Sequence, residues 1–115
     1  MYLEIKELQN KIFTNVENLE NEELIFTCED GSKYKMYHQQ DCCEDVRIDD
    51  INGDLNDLIN TPILLAEERS NEGESEWGTS TWTFYTFRTQ KGDVDIKWFG
   101  ESNGYYSESV DIIKI

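Results

Sequence analysis

The residues in this chain most able to do chemistry lie close together. The segment His38-Gln39-Gln40-Asp41-Cys42-Cys43-Glu44 holds the one histidine and two of the three cysteines, with Cys28 the third. Thiolate and imidazole are preferred ligands of zinc, so His38, Cys42 and Cys43 are candidates for a small metal site. The same three could support thiol chemistry, with His38 as the base. Two features argue against both. An extended segment turns neighbouring side chains to opposite faces, so Cys42 and Cys43 would not face one ion together. Asp41, Glu44 and Asp45 surround the thiols and favour the neutral form over the thiolate. No Cys-x-x-Cys pair and no second histidine is present. The expected state is three reduced, unjoined thiols and no cofactor.

A second stretch, Asp50-Ile51-Asn52-Gly53-Asp54-Leu55-Asn56, places oxygen-bearing side chains at alternate positions, like the start of a calcium loop. Leu55 stands where that loop needs glycine, and Thr61 where it needs a bidentate glutamate. Asp50, Asn52 and Asp54 are therefore read as turn and cap residues. Paired carboxylates across a cleft could suggest glycoside hydrolysis, but among 25 acids a pair carries no information. No phosphate-cradling glycine loop and no Ser-His-Asp order is present. The chain is read as a non-enzyme.

The elements that must position these residues are mainly strands. Ile12-Phe13-Thr14-Asn15-Val16 reads as a first strand with Ile12, Thr14 and Val16 on one face, after a short helix or irregular arm at Leu3 to Leu8. Leu24–Cys28 and Lys33–His38 form a hairpin across Glu29-Asp30-Gly31. A three-residue turn ending on Gly31 sets Phe26 opposite Tyr34 and Leu24 opposite Met36, which gathers apolar side chains on one face; a two-residue turn would not. Val46–Asp49 is a short strand. Asp54 then caps one to two turns of helix through Leu55, Leu58 and Ile59, stopped at Thr61-Pro62. Ile63–Ala66 is a buried strand that leaves into a polar loop, Ser70 to Glu76. Thr81–Arg88 is dense in aromatic and β-branched residues and reads as a central strand. Val94, Ile96 and Trp98 alternate with charged residues in the next, and Tyr105 to Ile115 supplies the last.

Together these predict one α+β, mainly β, domain over residues 1–115, an antiparallel sheet or small barrel or sandwich of about seven to eight strands with one short helix. Phe26, Tyr34, Met36, Ile48, Phe84, Ile96 and Trp98 are its expected core.

Charge supplies the functional signal. The chain carries 25 acids against 10 bases, for a net charge of −15. Direct binding to nucleic acid or an anionic membrane is not expected of such a surface. Residues 41–76 hold 12 of the acids and 2 of the bases. Such a field keeps a small β protein soluble, or else it recognises a basic patch on a partner, with carboxylates standing in for phosphates. The candidate binding residues are Glu44, Asp45, Asp49, Asp50, Asp54, Asp57, Glu67 and Glu68. With no apolar leader in Tyr2 to Glu7 and few cysteines, a cytoplasmic location is expected.

The motif from His38 to Glu44, with Val46 to Leu55, Pro62-Ile63, Ala66-Glu67-Glu68 and Ser102 to Ser107, resembles a family of small uncharacterised proteins from bacteriophages and bacteria. The resemblance runs from about Leu8 onward and brings no activity or catalytic residue with it. It implies a phage or mobile-element accessory protein acting in a bacterial cell. Combined with the charge, the expectation is a protein that inhibits a basic host defence or nucleic-acid-binding protein through its acidic face. A metal or thiol site at His38, Cys42 and Cys43 is the alternative, as is an immunity-type protein against a basic toxin.

Overall fold

The computed structural model describes residues 2–76 and 78–115. Its strands form two four-stranded antiparallel sheets, and the chain is mainly β, as the alternation of its apolar residues predicts. The first sheet has the order β1 (Phe13–Leu19), β2 (Glu23–Cys28), β3 (Lys33–Tyr37), β8 (Asp111–Lys114). The second has the order β4 (Asp45–Asn52), β7 (Gly92–Ser102), β6 (Thr79–Thr89), β5 (Leu65–Glu74). The chain crosses from the first sheet to the second between β3 and β4, and back between β7 and β8.

The β2–β3 hairpin has the expected register, with Leu24 opposite Met36 and Phe26 opposite Tyr34. Gly31 takes φ +88° in its turn, a left-handed conformation that a side chain would strain. The N–H of Cys28 closes the three-residue loop on the carbonyl of Ser32. Helix is limited, among the described residues, to single 3₁₀ turns at Ile5–Leu8 and Leu55–Leu58. The second is the short helix expected after Asp54, at the lower end of one to two turns and 3₁₀ in form, and the Asp54 side chain accepts the N–H of Asn56 at 2.9 Å. Pro62 and the contact of Ile59 with Phe13 leave no length for more.

The core lies between the sheets. Phe13, Phe26 and Phe87 meet there with ring centroids 5.0, 5.6 and 6.3 Å apart. Trp98 on the second sheet donates its indole N–H to the sulfur of Met36 on the first, at 3.3 Å. Phe26, Tyr34, Met36, Ile48, Ile96 and Trp98 are buried, as expected.

Phe84 is not. Side chains alternate along a strand, and Tyr85 and Phe87 take the inward positions of β6, so Phe84 and Trp82 point outward. Both faces of this strand are rich in large apolar groups, so composition could not choose between them. Cations cover the outward aromatics: Lys97 Nζ lies 4.4 Å from the Trp82 ring centre and Arg69 5.8 Å from that of Phe84. Three further expectations are corrected. A bulge between Phe13 and Asn15 breaks the alternation in β1, so Phe13 is buried and Thr14 is exposed. The polar stretch after Ala66 is not a loop, because β5 continues to Glu74 and pairs with β6 down to Thr79. Strand pairing needs only backbone groups, and an edge strand tolerates polar side chains. The last strand is also shorter, four residues from Asp111.

Because Phe87 lies in the aromatic cluster, Phe87→Ala should cost about 3–5 kcal/mol in urea unfolding. Phe84→Ala should cost less, about 1–2 kcal/mol, since only part of its ring leaves water on folding. Equal losses would mean that the two faces of β6 are reversed.

Candidate functional site

The motif His38 to Glu44 forms the crossover from β3 to β4, and its centre is a carboxylate. The Glu44 side chain has no exposed surface. One of its oxygens accepts the N–H of Cys42 at 2.8 Å and a Gln40 side-chain N–H at 3.2 Å. The other accepts the N–H of Asp41 at 3.0 Å and His38 Nε2 at 2.9 Å. A buried carboxylate is tolerable only with such a set of donors. Burial alone would raise its carboxyl pKa, but the N–H of Cys42, His38 and the other donors outweigh it and hold the group at about 2, below its ordinary 4.5.

His38 is committed on both sides. Nε2 meets the Glu44 carboxylate, and Nδ1 lies 2.7 Å from the carbonyl oxygen of Ser109. Both ring nitrogens are engaged, so a metal ion or a thiol proton would have to displace one of these contacts. Among the described residues no group of three or more His, Cys, Asp or Glu side chains is placed to hold a metal.

The structure corrects the expectation of three unjoined thiols. The chain bends at Cys42 and Cys43, and the two sulfurs lie in bonding contact as a pair between chain neighbours. The argument from opposite faces assumed an extended segment. Glu44 instead draws in the backbone of Asp41 and Cys42, which curls the loop. Cys28 is free and buried.

The second crossover is held in the same way. Glu108 is buried between β7 and β8, and its carboxylate accepts the hydroxyls of Thr79, Thr81 and Ser102. These hydroxyl donors overcome the effect of burial and hold its carboxyl below the usual range. Gly100 makes room for the segment, since a Cβ there would lie 3.0 Å from the Glu108 side chain. Sequence reasoning missed Glu108, whose only signal was a set of hydroxyls at Ser102, six residues before it, and at Thr79 and Thr81 on another strand.

The predicted acidic surface is divided by the fold. Glu44 is inside and offers no surface to a partner. Asp45, Asp49 and Asp50 are exposed on β4, and Asp54 is exposed in the turn after it. Asp57 is half-buried. Glu67 and Glu68 are exposed on β5, which is the opposite edge of the second sheet. Of the bases near β4, Arg47 lies 3.8 Å from Asp45, and Lys97 3.8 Å from Asp49. Asp50 and Asn52 belong to β4 and Asp54 is a cap, so the calcium-like spacing is used by a strand end and a turn.

Two outcomes follow from the buried groups. Glu44 has a lowered carboxyl pKa in the fold, so it adds stability above about pH 4.5 that is lost as pH falls toward about 2. Thermal melting should therefore show Glu44→Gln far below the parent at neutral pH, with the gap closing across that acid window. A gap independent of pH would contradict the carboxylate's role. Burial raises the Cys28 thiol pKa, so iodoacetamide should label Cys28 in the native protein much more slowly than in urea.

Neither the curated proteins nor the solved structures include one that matches the chain. Among the described residues no helix is long and apolar enough to cross a membrane. A family model described as a domain of unknown function, DUF7448, matches residues 6–112, and the chain belongs to that family.

Proposed function

We propose that this domain is a non-enzymatic protein-binding module that engages a basic partner through the acidic edge formed by β4 and the turn after it. The observation that carries the reading is the exposure of Asp45, Asp49, Asp50 and Asp54 along one edge strand and its exit. Among the described residues, Arg47 and Lys97 pair with them at the surface, and such pairs contribute little on their own. Carboxylates on a rigid strand need little ordering to meet a complementary surface, and their field speeds encounter with a cation-rich one. An acidic edge also discourages pairing with stray strands, which is the competing account of the same residues.

The partner we propose is a basic host protein, either a defence factor or a nucleic-acid-binding protein, with the carboxylates occupying the place of phosphates. The resemblance to small phage and bacterial proteins supports a setting in the bacterial cytoplasm. The committed state of His38 gives the metal or thiol reading no support.

Replacing Asp45, Asp49, Asp50 and Asp54 together by Asn should leave the melting temperature nearly unchanged, because exposed substitutions shift stability little. Affinity for the basic partner should fall by more than about tenfold at low salt, and the parent's own affinity should weaken as salt rises. Displacement of the partner by duplex DNA would mark it as a nucleic-acid-binding protein. A partner that binds the neutralised variant as well as the parent at every salt concentration would reduce the acidic edge to a solubility device.

A further inference from the structure

Tyr85 is fully buried, and its phenol oxygen makes no hydrogen bond of ordinary length among the described residues, with the Glu68 carboxylate close enough to act on it. A buried hydroxyl without a partner is costly and uncommon. The side chain forms part of the wall of a cleft of about 550 Å³ between β5, β8 and the N-terminal arm. That volume is within the range of small-molecule sites. Leu3, Ile5, Ala66 and Ile112 give the cleft an apolar wall. Glu68 and Asp111 stand on its polar side with Tyr85. Glu4 and Glu67 add further negative charge, and the one base in the lining, Lys6, is paired with Glu4 at 3.1 Å.

We infer that this cleft binds an aliphatic ammonium group, its alkyl chain against the apolar wall and its nitrogen among Tyr85, Glu68 and Asp111. The phenol oxygen accepts one N–H of the ammonium, and the carboxylates accept the others. The alkyl chain removes apolar wall from water. A neutral alcohol would leave the carboxylates without a counter-charge, and a bare small cation would leave the wall wet. Burial first, and the Glu68 carboxylate after it, raise the Tyr85 phenol pKa above its ordinary value, so the hydroxyl keeps its proton. Such a nitrogen could belong to a lysine side chain of a protein partner or to a free alkylamine. The cleft is on the β5 side of the second sheet and the acidic edge is on the β4 side, so this inference does not depend on the proposed partner.

The test titrates the full chain with n-pentylammonium, methylammonium and 1-pentanol, followed by backbone amide NMR shifts. Pentylammonium should saturate with shifts centred on Ile5, Ala66, Asp111 and Ile112, and each of the other two should need at least about tenfold more. Tyr85→Phe should melt close to the parent, because no hydrogen bond of ordinary length is lost, and should bind pentylammonium at least about fivefold more weakly. Glu68→Gln should weaken it as well. Tighter binding of a capped lysine tripeptide than of 1,5-diaminopentane would assign the nitrogen to a protein, and the reverse order to a free amine. The variant with Asp45, Asp49, Asp50 and Asp54 changed to Asn should bind pentylammonium unchanged, so failure at the acidic edge and failure at the cleft are separate results. Equal saturation by pentanol, shifts centred elsewhere, or parent-like binding by both Tyr85→Phe and Glu68→Gln would overturn the inference.

Discussion

The architecture depends on a carboxylate buried away from solvent. Glu44 lies at the first passage between the sheets, and everything around it is arranged to donate to it: two backbone N–H groups, Gln40 and His38. His38 then reaches the carbonyl of Ser109, just before β8, so the outward crossover is tied to the returning one. Glu108 holds the returning crossover by accepting three hydroxyls. A sandwich whose sheets exchange strands must hold its crossovers, and charged hydrogen bonds supply a direction that apolar contact lacks. The dependence runs both ways, because losing a donor leaves a buried charge uncompensated.

Between the sheets the aromatic cluster supplies the burial, and it also decides what the outer faces carry. With Tyr85 and Phe87 turned inward, Trp82 and Phe84 face out under Lys97 and Arg69. Two of the chain's ten cations are thereby occupied on the broad face of the second sheet. Exposed carboxylates remain at its two edges, β4 and β5.

Identical side chains thus do different work according to burial and neighbours. Glu44 and Glu108 hold crossovers, Asp54 caps a turn, and Asp45, Asp49 and Asp50 meet solvent. Glu68 lies beside an unpartnered phenol. The acidity of this chain is several separate environments rather than one surface, and the two functional proposals rest on different ones.

What the amino-acid sequence by itself determined is whatever short-range geometry controls. Alternation announced the strands, Gly31 and the pairing of apolar residues set the β2–β3 register, and Asp54 marked the turn it caps. These depend on residues a few positions apart. Tertiary structure decided the rest. Phe84 could have pointed either way, because both faces of β6 are apolar and only packing against the first sheet selects one. Ser70 to Glu74 read as a loop because pairing with β6 uses backbone groups that sequence does not display. Glu44 read as surface because a carboxylate looks the same in sequence whether it faces water or donors; its donors lie within six residues, and only the bend of the crossover, braced by His38 against the Ser109 carbonyl, turns them toward it. Burial of a charge is set by what the fold brings to it, and that became visible only once the two crossovers were placed side by side.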